Sequence, residues 1–249
     1  MELIAVIDRR AGYAVEAQRG SSRGLYPFLR PPFMPQLCSV VKRLYGVYGF
    51  RSVYVADLDA LRGRRWQHNS LVHVARCFPC VTFYVDGAFC DGRGLRVAQR
   101  RWCRNMVPVV ATECLPCVSA WCRLRRLCRA PLVLSLDYRN KRLLGGTHMD
   151  KAVGLWSESV LVMDLCGIGR GGGAVSAQVM SLCQRAMRLG YSAGQIILGG
   201  GVANEEHLRQ AQRLGFGGVL ISSALYRGYL SAQQLKMWNQ GLELGGSSV

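Results

Sequence analysis

The chain has 249 residues, half of them hydrophobic, and its 32 Lys+Arg against 15 Asp+Glu give a formal net charge of +17. Half-apolar composition with 19% charged residues excludes a disordered chain, and no apolar run reaches the length of about 18 residues that a membrane span needs. The opening MELIAVIDRR lacks the basic lead and long apolar stretch of a secretory signal, so the expectation is a cytoplasmic protein whose eleven cysteines are reduced thiols.

In chain order, Val/Ile/Leu-rich runs occupy residues 3–7, 52–56, 81–85, 107–111, 132–136, 160–163, 196–198 and 219–221. Each is short enough to be a strand buried on both faces. Helical patterns lie between most of them, at 37–45, 70–77, 118–127, 177–189 and 205–214. Asn204 followed by Glu205 and Glu206 reads as an N-cap and first turn, and Gly215 as a C-terminal stop. Eight β-α units in about 250 residues fit an α/β fold of the (β/α)8 TIM-barrel type. The competing doubly wound sheet has fewer strands and a Gly-rich first turn.

An internal repeat supports the barrel. Residues 52–58 (SVYVADL) and 159–165 (SVLVMDL) agree at five of seven positions, and Ile7-Asp8-Arg9-Arg10 parallels Leu136-Asp137-Tyr138-Arg139. The chain therefore reads as one duplicated half-barrel domain over residues 1–240, with a short flexible tail at 241–249.

Seven of the 15 acids fall at or just after strand ends: Asp8, Asp57, Asp59, Asp86, Glu113, Asp137 and Asp164. In a parallel barrel these ends share the face that carries active sites. Asp57, Asp59, Asp86 and Asp164 are open to two roles, contact with substrate or pairing with arginines and loop amides. Asp8 and Asp137 hold equivalent positions in the two halves, which suits an acid and a base on two sides of a substrate.

Glycines mark the same face. Leu198-Gly199-Gly200-Gly201-Val202 follows the seventh strand and Ser222-Ser223-Ala224-Leu225-Tyr226 the eighth. Barrels commonly bind phosphate in these two loops. Gly169-Arg170-Gly171-Gly172-Gly173 reads as a flexible loop over the mouth, with Arg170 as an anion contact or simply part of a mobile segment. No metal is expected. The pairs Cys77/Cys80 and Cys114/Cys117 have zinc-ligand spacing, but one precedes the third strand and the other follows the fourth. His68, His73, His148 and His207 lack such spacing. From residue 92 to 129 nine Arg stand against one acid. They fall on outer helices without a nucleic-acid motif, so a solvated face or subunit contact is expected rather than a nucleic-acid partner.

These motifs resemble the HisA/HisF family of histidine biosynthesis, duplicated half-barrels that bind phosphoribosyl ligands. AVIDRRAG resembles the family's first Asp motif, VADLDALRG its second-strand motif, and LSLDY its fifth-strand Asp. LGGGVANEEHL and GFGGVLISSALYRG resemble its second phosphate site. The likeness spans nearly the whole chain. It is nearer HisA, an aldose–ketose isomerase, than the cyclase HisF, which carries Cys in the first motif.

The resemblance implies an Amadori-type rearrangement of a phosphoribosyl compound, with no cofactor. Asp8 would be the general base and Asp137 the general acid. Gly200, Gly201, Ser222 and Ser223 would hold a phosphate, with Thr112 helping at the other end and Arg170, Asp57 and Asp164 near the substrate loop. Three departures stand out. Arg9-Arg10 replaces the family's Leu-Lys, Asp86-Gly87-Ala88-Phe89-Cys90 replaces the Gly-rich first phosphate segment, and Thr112-Glu113 adds a further acid. They point to two alternatives. One is a related group, found beside genes for one-carbon pterin and furan coenzymes, acting on a smaller monophosphate. The other is a catalytically silent phosphate- or nucleic-acid-binding barrel.

Overall fold

Buried parallel strands need apolar side chains on both faces, and the Val/Ile/Leu runs supply them. The structure, a computed structural model, describes residues 1–16, 27–63, 68–128, 131–145, 148–165 and 176–242. Arg170 and its glycines, and residues 243–249 of the expected tail, lie outside these. Ten strands occur among the described residues: β1 (Glu2–Arg10), β2 (Tyr13–Val15), β3 (Ser52–Asp57), β4 (Thr82–Asp86), β5 (Met106–Ala111), β6 (Val133–Arg139), β7 (Arg142–Leu143), β8 (Ser159–Asp164), β9 (Ile196–Gly199) and β10 (Gly218–Ile221). The order β1-β3-β4-β5-β6-β8-β9-β10 is parallel throughout and closes on itself through β10–β1 pairing. The result is the (β/α)8 barrel read from the sequence, and its eight strands are the eight apolar runs.

The helices are α1 (Leu37–Gly46), α2 (Leu58–Leu61), α3 (His68–Cys77), α4 (Gly92–Gln99), α5 (Val118–Leu127), α6 (Ala177–Arg188), α7 (Glu205–Arg213), α8 (Ser223–Tyr226) and α9 (Ala232–Asn239). Asn204 caps α7 as expected: its side-chain oxygen accepts from the His207 backbone N–H at 3.0 Å, and Gly215 follows the helix at φ +76°. No helix among the described residues is long and apolar enough to cross a membrane.

Between β6 and β8 the described chain makes two short 3-10 turns, Met149–Lys151 and Val153–Leu155, in place of an α-helix. Trp156 secures them by donating its indole N–H to the Met149 carbonyl at 2.8 Å. The buried Trp121 of α5 reaches the same turns, donating to the Leu155 carbonyl at 2.7 Å.

Each strand divides its side chains between two cores. Ile4, Tyr54, Val109, Val133, Leu161, Ile197 and Leu220 fill the barrel interior, while Leu3, Ile7, Val53, Val55, Leu134 and Leu136 pack outward beneath the helices. The duplication extends beyond the sequence match. In each half the first strand turns back as a hairpin two residues after its aspartate. Arg10 pairs with Tyr13 across Ala11-Gly12, and Arg139 pairs with Arg142 across Asn140-Lys141. All four turn residues have positive φ, between 48° and 86°, the geometry of a two-residue hairpin turn.

Candidate active site

Strand alternation decides which acids reach the mouth of the barrel. On β1, Asp8 shares the inward parity of Ile4 and Val6; on β6, Asp137 shares that of Val133 and Ser135. The two strands are four apart in a ring of eight, so the aspartates approach the mouth from opposite walls. On β4, Asp86 is inward with Tyr84, and on β3 Tyr54 and Ala56 are inward.

Asp137 is 5% exposed. Ser135 donates its hydroxyl to Oδ1 at 2.7 Å, and the Asp137 backbone N–H donates to Thr112 Oγ1 at 3.1 Å. Oδ2 is buried and makes no well-formed hydrogen bond. Burial first, then the negative charges of Asp86 and Glu113, push the Asp137 carboxyl up to about 7, against the opposing bonds from Ser135 and the Glu113 amide. Asp86 is buried as well. It accepts the Tyr54 hydroxyl on Oδ2 at 3.0 Å and the Ala88 N–H on Oδ1 at 3.2 Å. Burial raises its carboxyl to about 6; those two bonds oppose the rise and the charges of Glu113 and Asp57 add to it. Tyr54 titrates well above the ordinary phenol range because it is buried and because Asp86, Asp137 and Asp8 all act on it. Tyr54 projects inward from β3, the strand between β1 and β4. Asp8 itself is half-buried.

The opposite rim is built from backbone. Gly199 ends β9, and Gly200 and Gly201 follow at φ +90° and +94°. A Cβ on Gly200 would stand 2.2 Å from the Asp164 carbonyl oxygen, so only glycine fits there. Ser222 and Ser223, both half-buried, follow β10, and the Ser222 hydroxyl makes no capping bond to α8. Tyr226 fixes this turn. Its hydroxyl donates to the Val6 carbonyl at 2.6 Å, and its ring meets Phe33 edge-on at 5.0 Å.

The remaining sequence candidates sit in different places. Thr112 is fully buried at the end of β5, where its oxygen holds the Asp137 backbone. Asp57 has the outward parity of Val53 and Val55 and is fully buried in the wall. It pairs there with the equally buried Arg9 and accepts the Asp59 and Ala60 amides of α2 at 3.1 and 3.2 Å. Asp164 is the equivalent residue of the second half and is half-buried, its carbonyl against Gly200. Asp59 accepts the Ala11 N–H at 2.6 Å. Cys77 and Cys80 precede β4 while Cys114 and Cys117 follow β5, at opposite ends of the strands. Sequence reasoning misses Tyr54 and Ser135, because β3 and nearly all of β6 are buried on both faces and nothing in the sequence marks the inward one.

A closed eight-stranded α/β barrel made of two equivalent halves, with paired acids on opposite walls and a glycine rim, defines the class. No protein-family model matches the chain. It is 30% identical to the 1-(5-phosphoribosyl)-5-((5-phosphoribosylamino)methylideneamino) imidazole-4-carboxamide isomerase of Pyrobaculum aerophilum, over 92% of this chain and 96% of that protein. It is also 22% identical to an uncharacterized protein of Methanocaldococcus jannaschii, over 94% of this chain and 97% of that one. The chain belongs to the family of HisA-like isomerase barrels.

Proposed function

We propose that the protein is an acid–base isomerase of a phosphorylated, sugar-type substrate, with Asp137 as general acid and Asp8 as general base. Gly200 and Gly201 hold the phosphate through their backbone, and Ser222 and Ser223 through their hydroxyls. On a substrate whose anomeric carbon bears an amine nitrogen, Asp137 gives a proton to the ring oxygen, and the ring C–O bond breaks as the nitrogen lone pair forms an iminium at that carbon. That iminium acidifies the neighbouring C–H, whose proton Asp8 removes. In the resulting enolamine the former anomeric carbon takes the proton held by Asp8, the neighbouring enol hydroxyl returns its proton to Asp137, and a ketone forms.

The observation that carries this reading is the pair of aspartates at one position of two equivalent half-barrels, one of them with its proton affinity raised to about 7. A general acid works best when its affinity lies near the working pH. The test is rescue of a strain lacking the histidine-pathway isomerase by the wild type, Asp8→Asn and Asp137→Asn. Rescue by the wild type alone supports the assignment, whereas rescue by either Asn variant refutes the acid–base roles.

A second reading rests on Asp86 and Glu113. Asp86 stands where the family resemblance calls for a Gly-rich phosphate cradle, Glu113 adds a further acid after the next strand, and together they favour a smaller substrate with a single phosphate. Failure of the wild type to rescue would exclude the histidine intermediate and leave this reading in place.

A further inference from the structure

The two sides of the mouth differ in charge. The ends of β4 and β5 stand four strands from those of β9 and β10, so Asp86 and Glu113 lie across the opening from Gly200, Gly201, Ser222 and Ser223. The glycine side offers backbone and hydroxyl groups, with Asp8 and Asp164 on the strands that flank it. The other side gathers Asp86, Glu113 and, from the adjoining β6, Asp137. Among the described residues none of these three pairs with a cation, although arginine supplies 28 of the 32 basic residues in the chain. The nearby Arg9 is turned into the wall, engaged by Asp57 and by the Ser70 hydroxyl at 3.0 Å.

Asp137 Oδ2 adds a separate observation. It is buried and makes no well-formed hydrogen bond, beside two further carboxylates whose charge it feels. A buried carboxyl oxygen without a well-formed hydrogen bond, and a buried Asp86 without a counter-ion, are costly. Such an arrangement persists where a ligand brings the missing donors and charge. Tyr54, bonded to Asp86 Oδ2, keeps that carboxylate oriented and leaves the exposed Glu113 at the rim.

We propose that the β4–β5 side of the mouth binds the cationic end, a protonated amine or amidinium, of a substrate whose single phosphate lies on the β9–β10 side. The proposal deepens the isomerase reading and rests on the phosphate site assigned there. An ammonium group supplies N–H donors to Asp86 and Glu113, beside the Asp137 carboxyl that keeps its proton for the ring oxygen. A second phosphate in the same place meets like charges in a partly desolvated site, an arrangement that costs affinity.

The test is a ligand-observed NMR titration at neutral pH and low salt with three matched probes. These are aminobutyl phosphate, butyl phosphate, and the same chain with a phosphate at each end. The aminobutyl ester is expected to bind about tenfold more tightly than butyl phosphate, and the doubly phosphorylated chain no more tightly than butyl phosphate. Asp86→Asn and Glu113→Gln should each shrink the amine's advantage and leave butyl phosphate binding unchanged. Glu113 is exposed, so its variant keeps the test valid should Asp86→Asn fail to fold. Equal binding of the amine and plain esters, or tightest binding by the doubly phosphorylated chain, overturns this inference alone. Absence of binding by all three probes overturns the phosphate site and the inference together.

Discussion

Replacing Asp137 by asparagine should make the protein more stable at alkaline pH while abolishing its function. The folded state holds the Asp137 proton up to about pH 7, whereas the same side chain ordinarily releases it near 3.8. Between those values the native state binds more protons than the unfolded chain, so stability falls as pH rises through the window. Three powers of ten in proton affinity correspond to roughly 4 kcal/mol. The asparagine side chain never ionises and still accepts from Ser135. The variant should therefore match the wild type within about 1 kcal/mol near pH 4 and exceed it by up to roughly 4 kcal/mol above pH 8. In a chain of this length that is a rise in Tm on the order of 10 °C. Asp86, raised to about 6, should give a smaller effect of the same sign in Asp86→Asn. That variant should also lower the Asp137 proton affinity, because it removes one of the charges acting on it. Thermal and urea melts across this range, plotted as the difference between variant and wild type, isolate the contribution. Parallel curves, with no growth of the difference between acid and alkaline pH, would refute the assignment of Asp137 as a buried, proton-holding acid.

Two further outcomes follow from buried contacts. Arg9→Met leaves Asp57 charged and without its partner inside the wall, and should cost about 3–5 kcal/mol in urea melts; the double variant with Asp57→Asn should recover part of that loss. Gly200→Ala places a Cβ 2.2 Å from the Asp164 carbonyl at a φ of +90°, so it should cost about 2 kcal/mol or more and weaken binding of inorganic phosphate. Unchanged phosphate affinity in a folded Gly200→Ala protein would remove these glycines from the proposed site.

All eight barrel strands were legible because a strand covered on both faces has to be apolar throughout. The same property hid the side-chain directions. Every residue of Ser52–Asp57 is buried, so no alternation in the sequence tells the interior from the helical layer. The repeat alone sets Asp8 apart from Asp57 in the sequence, without saying which face either acid takes. Pairing register separates them: Asp57 stands beside Arg9, one residue beyond Asp8 and on the other face. The helix pattern was legible from its apolar spacing, with a side-chain cap at Asn204 and without one at α1 and α5. Between β6 and β8 the chain is ordered by the tertiary contacts of Trp121 and Trp156 rather than by local pattern.

The hairpins show what duplication preserved and where the halves diverged. In both halves an inward aspartate is followed by two residues, a turn with two positive φ angles, and a returning strand. The residue after each aspartate lies in register with the acid ending the next barrel strand, Arg9 with Asp57 and Tyr138 with Asp164. In the first half this position carries a cation, and the acid beside it is sealed into the wall. In the second half it carries a buried phenol, and the acid stays half-buried at the mouth. The residue at this register position thus differs between the halves together with the burial of the strand-end acid beside it. A net charge of +17 gives no sign of this, because the arginine that matters most here neutralises a carboxylate out of reach of water.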